Sequence, residues 1–117
     1  YMKKRQSGSI FFTGATASLR GGSGFSAFAS AKFALRALSQ SIARELGPQG
    51  IHVAHFIIDG AIDTAFIKEN FPEAYALKEK DGILSPEKIA DSYWFVHSQH
   101  RSAWTHELDL RPYMEKF

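Results

Sequence analysis

Lys32 and Phe28 lie four residues apart in the stretch Ser26-Ala-Phe-Ala-Ser-Ala-Lys-Phe-Ala-Leu-Arg-Ala-Leu-Ser-Gln-Ser-Ile-Ala-Arg-Glu-Leu46, a separation that stacks side chains on neighbouring turns of a helix. An ammonium at that place has two uses. Its stem covers apolar surface while the head reaches water, or the head presents a fixed positive charge to a ligand or reacting group. Thr13, Thr16 and Ser18 bring hydroxyls a short way upstream, able either to polarise a carbonyl oxygen or to satisfy backbone groups of their own loop. Asp59 precedes Gly60 and reads as an Asp-Gly turn, with proton transfer as the sharper alternative. Of the five histidines, His52 and His55 sit at an odd separation that sends them to opposite faces of a strand. His97 and His100 share a helical face but have no further ligand at a useful spacing, so no metal site is expected.

The elements that would position these groups follow from periodicity. Phe28, Ala31, Leu35, Leu38, Ile42 and Leu46 recur at steps of three and four, which predicts a long helix over 26–46 buried along that stripe. Ser23 or Ser26 is expected to cap its start, and Gly47-Pro48 to end it with a left-handed glycine. Ser9-Ile-Phe-Phe-Thr13 and Ile51-His-Val-Ala-His-Phe-Ile-Ile58 are apolar runs expected to be fully buried parallel strands. Asp59-Gly60 breaks the second. Residues 61–82 lack a strand pattern and read as a mobile flap, with a short amphipathic helix over 72–80. Ser85, Pro86 and Glu87 open a further helix with Ile89, Tyr93 and Val96 as its stripe. Thr105-His-Glu-Leu-Asp-Leu110 alternates as a half-buried edge strand should, stopped by Pro112.

With no cysteine among 117 residues, 44% hydrophobic and 22% charged, no disulfide framework exists and a globular cytoplasmic protein is the expectation. No apolar run is long enough to span a bilayer, so no membrane partner is expected. The net charge of +2 comes from scattered lysines and arginines rather than a basic stripe, which argues against a nucleic-acid partner. Gly21-Gly-Ser-Gly24 has the wrong spacing and context for a phosphate-cradling turn.

The segment Phe28-Ala-Ser-Ala-Lys32-Phe-Ala-Leu-Arg-Ala-Leu, followed by Ala43-Arg-Glu-Leu-Gly-Pro-Gln-Gly-Ile-His-Val53, resembles the second half of the short-chain dehydrogenase/reductase family. There a helix carries Tyr-x-x-x-Lys and leads through Leu-x-x-x-Gly-Ile-x-Val to the next strand. The resemblance implies an α/β chain, the C-terminal half of a doubly wound parallel-sheet NAD(P)-binding Rossmann fold. Residues 1–117 would be a single partial domain, with the Gly-rich dinucleotide-binding half outside it. It implies NAD or NADP as cofactor, a small carbonyl or alcohol as substrate, and homo-dimers or homo-tetramers. Assembly is expected through Ala29, Phe33, Ala37 and Ser41 on the long helix, and through Trp104, Leu108, Leu110 and Phe117 at the C-terminal end.

In that family the lysine lowers the tyrosine's pKa and hydrogen-bonds the nicotinamide ribose, while a serine polarises the substrate oxygen. Lys32 matches the lysine, Phe28 takes the tyrosine position, and Ala15 the serine position. Thr16 then becomes the candidate for polarising the carbonyl, and Lys32 and Thr16 are the candidate catalytic pair. With the tyrosine lost, the proton would come from water, the substrate, or a side chain such as Thr16, His55 or Asp59. The family's Pro-Gly-x-Val/Ile-x-Thr turn, which holds the nicotinamide carboxamide, corresponds to Asp59-Gly-Ala-Ile-Asp-Thr64. Asp59, Gly60, Ile62 and Thr64, with Lys32, are therefore the expected cofactor contacts. Asp59 replaces the proline, and the strand from Val53 to Gly60 is one residue longer than the pattern, which suggests a bulge. The two lost hydroxyls leave a second reading open: a family member that binds a dinucleotide or a partner subunit without turnover.

Overall fold

The computed structural model describes residues 1–117. Its centre is a parallel sheet of three strands in the order β1-β2-β3: β1 (Gly8–Ala15), β2 (Ile51–Ile58) and β3 (Glu107–Leu110). A one-turn helix α1 (Met2–Arg5) precedes β1. The long helix α2 (Ser26–Leu46) joins β1 to β2, as a parallel pair requires. After β2 come α3 (Ala65–Asn70), α4 (Pro72–Tyr75) running into a tight turn over Ala76–Lys80, and α5 (Pro86–His97). The 61–82 segment thus carries more regular structure than its irregular pattern predicts. The chain returns along it by a bridge between Ile62 and Leu84.

Strand pairing runs without interruption from Gly8 opposite Ile51 to Ala15 opposite Ile58. There is no bulge, and Asp59 and Gly60 leave directly from the end of β2. β2 is buried along its whole length, whereas β1 is mostly half-buried. The expectation of a fully buried β1 therefore fails: in this chain it forms one edge of the sheet, with β2 on one side only. β3 is the half-buried strand at the other edge.

The two faces of β2 meet different partners. Ala54, Phe56 and Ile58 form the core with Leu84 and Val96, and Phe11, Ile89, Tyr93, Leu108 and Leu110 pack around it. Tyr93 stacks on Phe56 with ring centroids 3.7 Å apart. The stripe read for α5 is therefore the one it uses, with Ser85 as N-cap.

The opposite face carries α2, and there the expected stripe packs only in part: Leu35, Ile42 and Leu46 are half-buried. Phe28 and Leu38 are 48% and 49% exposed, and Ala31 is exposed too, whereas Ala29 and Ser39 are buried. Small side chains let the helix approach the sheet closely, and Lys32 and Arg36 turn inward between them to reach polar partners. Ala29 is accordingly no part of an outward face; Phe33, Ala37 and Ser41 do face outward. Phe25, not Ser23 or Ser26, is the N-cap, and it offers no side-chain hydrogen bond. At the other end Gly47 stays helical (φ −54°), and the left-handed residue is Gly50 (φ 80°) after the turn Gly47–Gln49.

Candidate functional site

The carboxyl end of β1 is where Lys32 arrives. Its Nζ donates to the Thr13 carbonyl at 3.0 Å and stands 5.8 Å from the centre of the Phe28 ring. The stacking expected from the four-residue spacing is thus observed. Phe28 itself carries no titratable group.

Just beyond β1, the turn Thr16–Ser18 aims Thr16 at the end of β2. Its Oγ1 donates to Asp59 Oδ1 at 2.6 Å, so the hydroxyl proton is committed to that carboxylate and only lone pairs remain. Asp59 is fully buried. Arg20 Nη2 donates to both of its oxygens at 3.0 and 3.2 Å, and Arg111 Nε donates to Oδ2 at 3.3 Å. Burial pushes the Asp59 carboxyl up, but the hydrogen bonds from Thr16, Arg20 and Arg111 and the charge of Arg20 outweigh it and hold the group below the usual carboxylate range. A carboxylate in that state has no proton to give at neutral pH. Arg111 also pairs with Asp109, which with Asp59 raises its pKa.

A hollow of about 350 Å³ opens beside this turn, lined by Thr16, Ala17, Arg20, Gly21, Gly22, Phe25 and Phe28. Thr16 and Phe28 share its walls, whereas Lys32, Ile62 and Thr64 are not among them. Ile62 and Thr64 belong to the segment leaving β2. The bridge to Leu84 uses Ala61 O and Asp63 N, which leaves the N–H and C=O of Ile62 without partners. Thr64 caps α3, its Oγ1 accepting from Ile67 N at 3.3 Å, and its hydroxyl proton is free for another acceptor. Gly60 leaves room for Pro112, whose Cδ would meet a side chain there at 3.0 Å.

Under α2 lies a second polar cluster. Arg36 Nε and Nη2 donate to Glu107 at 3.0 and 2.8 Å, and His55 Nδ1 donates to the same carboxylate at 3.0 Å. Burial raises the Glu107 carboxyl, and the bonds from Arg36 and His55 more than reverse it. The hydrogen bond to Glu107 in turn raises Arg36. His55 is fully buried and its Nε2 has no partner. Ser18 Oγ, buried nearby, accepts from Ala15 N at 3.0 Å. His55 thus faces α2 and no cleft, while His52 faces the other way and stacks on Trp104 at 4.6 Å. His97 Nδ1 pairs with Ser9 and His100 Nδ1 with Ser102. No group of three His, Asp or Glu side chains placed to hold a metal ion is found.

Arg20, Arg111, Arg36 and Glu107 were not singled out by the sequence. The available signal was Asp59 itself: a carboxylate at the inner end of a buried strand needs cations, and Arg20 and Arg111 follow the two neighbouring strands.

The family model of short chain dehydrogenases matches residues 1–74. This chain belongs to the short chain dehydrogenase family. A short-chain dehydrogenase structure from Rhodopseudomonas palustris is 50% identical, with a TM-score of 0.70 over 96% of this chain and 42% of that one. A 3-dehydrosphinganine reductase of Danio rerio is 32% identical over 92 residues, 76% of this chain and 28% of that protein. The NADPH-bound short chain oxidoreductase of Pseudomonas aeruginosa PAO1, described as containing an atypical catalytic center, shares the fold at 17% identity, with a TM-score of 0.74 over 93% of this chain and 46% of that one. The chain thus spans under half the length of these relatives.

Proposed function

We propose that this chain forms the nicotinamide and substrate side of an NAD- or NADP-dependent oxidoreductase acting on a small carbonyl compound or alcohol. The observation that carries the reading is the placement of Lys32, whose ammonium sits at the carboxyl end of β1, where open α/β sheets bind ligands. The residues fit the nicotinamide end of a dinucleotide: the unpaired peptide of Ile62 matches the donor and acceptor of a carboxamide, and the Thr64 hydroxyl has a free proton. Lys32 would bind the adjoining ribose with the N–H groups it does not spend on Thr13. When bound, the dinucleotide supplies or accepts the hydride.

In the reducing direction the carbonyl oxygen must gain a proton as its carbon gains hydride. Phe28 offers none, Asp59 is ionised, Thr16 donates to Asp59, and His55 is enclosed beneath α2. Water reaching the hollow beside Phe28, the substrate's own groups and the Lys32 ammonium are the sources that remain. Lys32 then acts by charge, favouring the developing alkoxide. The second reading, dinucleotide binding without turnover, is favoured by Phe28 and Ala15 in the tyrosine and serine positions.

The family's habit of assembly and the exposed Phe33 and Leu38 on α2 support a homo-dimer or homo-tetramer. No helix is long and apolar enough to cross a membrane. Fluorescence titration of the whole protein with NADH and NADPH tests the central reading. Binding of at least one is expected, with Lys32→Met weakening it about tenfold, the loss of roughly one charge-assisted hydrogen bond. Failure to bind either dinucleotide would sink it.

A further inference from the structure

We propose that the hollow beside Phe28 takes substrates that carry a carboxylate on an apolar body, and that Arg20 reads the carboxylate. This rests on the oxidoreductase reading above and narrows it to a chemical class.

The walls are Phe25, Phe28, Ala17 and the backbone of Gly21 and Gly22, with Thr16 and Arg20 as the only polar side chains. A volume of about 350 Å³ lies within the range of roughly 300–1,000 Å³ of small-molecule sites. Arg20 spends only Nη2 on Asp59, so its Nε–H and both Nη1–H groups have no acceptor in the protein. Its side chain is 43% exposed while Asp59 is fully enclosed. Asp59 is also held by Thr16 and Arg111, and it therefore fixes the guanidinium from behind without using up its donors.

A planar fork with free N–H groups at the edge of an apolar hollow matches a carboxylate in geometry and charge. The two phenyl rings lower the local dielectric and strengthen that contact. No acidic side chain lines the hollow, and Thr16 points its hydroxyl hydrogen at Asp59. A ligand amine would find no counter-charge there and would face the guanidinium's like charge.

The test uses the whole protein and three probes of one skeleton: phenylacetate, phenylacetamide and phenethylamine, ranked by saturation-transfer NMR. The carboxylate is expected to bind about tenfold or more above the other two, the worth of one charge-assisted contact. Arg20→Gln should bring it down to the level of the amide. Equal binding of the three to the wild type, or a ranking that Arg20→Gln leaves unchanged, overturns the proposal. Should Arg20→Gln fail to fold, Arg20→Lys keeps a cation on Asp59 but removes the fork, and its carboxylate preference should still fall; the wild-type ranking decides without any variant.

Reduction of benzoylformate and of its methyl ester with NADH or NADPH separates this proposal from the reading beneath it. Turnover that favours the acid in kcat/KM supports both. Turnover that ignores the carboxylate overturns the proposal and leaves the oxidoreductase standing. No turnover of either compound, with the probe ranking intact, removes the catalytic reading and keeps the carboxylate site.

Discussion

A phenyl ring in place of a phenol removes one function and leaves the shape, so Phe28 makes a clean experiment. Phe28→Tyr with Ala15→Ser is expected to raise the rate of carbonyl reduction by about 10²- to 10⁴-fold, the usual worth of a positioned general acid, with dinucleotide affinity nearly unchanged. Lys32 already stands beside the ring, so a tyrosine there would have its proton acidified by charge proximity. Steady-state kinetics beside a dinucleotide titration reads both; a double variant as slow as the parent would place the chemistry elsewhere. Asp59 gives a second prediction at this scale. Its carboxyl and that of Glu107 both lie below their ordinary values in the folded chain, so the folded state binds fewer protons than the unfolded one as these groups titrate. The stability they contribute is complete above the unfolded values of about 4 and is lost as pH falls through the lower folded values. Urea midpoints measured from pH 6 downward should decline from about pH 5, and Asp59→Asn should be less stable than the parent at pH 7, because it leaves two arginines facing a neutral amide. A flat profile would mean that the two carboxyls titrate alike in the folded and unfolded chain and contribute no pH-dependent stability.

The strands and the span of the long helix are legible in the residues, because runs such as Ile51–Ile58 and the three-and-four periodicity of 26–46 depend on local chemistry, whereas the caps expected at Ser23 or Ser26 and at Gly47 fall instead on Phe25 and Gly50. Which face of α2 meets the sheet is not legible. Counting apolar residues selects Phe28, Ala31, Leu35, Leu38, Ile42 and Leu46, of which Leu35, Ile42 and Leu46 are half-buried, yet the side chains turned furthest inward are Ala29, Lys32, Arg36 and Ser39, which keep the same three-and-four spacing in small and polar types. The partner that makes this favourable, Glu107, is 71 residues away from Arg36, and no local pattern announces it. The Asp59 cluster eludes the same reading: the Asp-Gly turn is visible in the sequence, and the arginines that close on it come from two other segments. The α2–sheet interface predicts its own weak point. A side chain at Gly14 would meet His55 Nε2 at 2.4 Å and Ser18 Oγ at 2.6 Å, and both neighbours are buried and fixed. Gly14→Ala is therefore expected to cost about 1–3 kcal/mol as overpacking, read from chemical denaturation, whereas Gly24→Ala, with open space around it but a left-handed φ of 83°, should lose stability through backbone strain alone. Gly14→Ala should cost less in a background carrying His55→Ala and Ser18→Ala than in the parent, since both atoms it would strike are then gone; an equal loss in the two backgrounds would assign it to the strand instead.

At the scale of the whole molecule, a chain whose largest apolar side chains are divided between one core and several exposed positions should bury the rest against something. Phe33 and Leu38 on α2, and Trp94 and Phe95 on α5, are 43%, 49%, 69% and 67% exposed, a larger apolar surface than a small monomer usually presents. The two helices lie on opposite faces of the sheet, so a single partner cannot cover both pairs at once, and an assembly that covers both needs two kinds of contact. A dimer built on one face would leave the other open, and a tetramer with two-fold symmetry would close both. Sedimentation velocity of the whole protein at micromolar concentration is therefore expected to show a dimer or tetramer. Phe33→Glu with Leu38→Glu, on the α2 face, should lower the assembly by one step without loss of helix content by circular dichroism, because neither side chain supports the core. Trp94→Glu should act independently if α5 forms the second contact, and the three substitutions together should give a monomer. A monomeric parent protein at that concentration would count against the assembly. A dimer that tolerates the α2 substitutions and dissociates only with Trp94→Glu would move the interface to the α5 face and take α2 out of it.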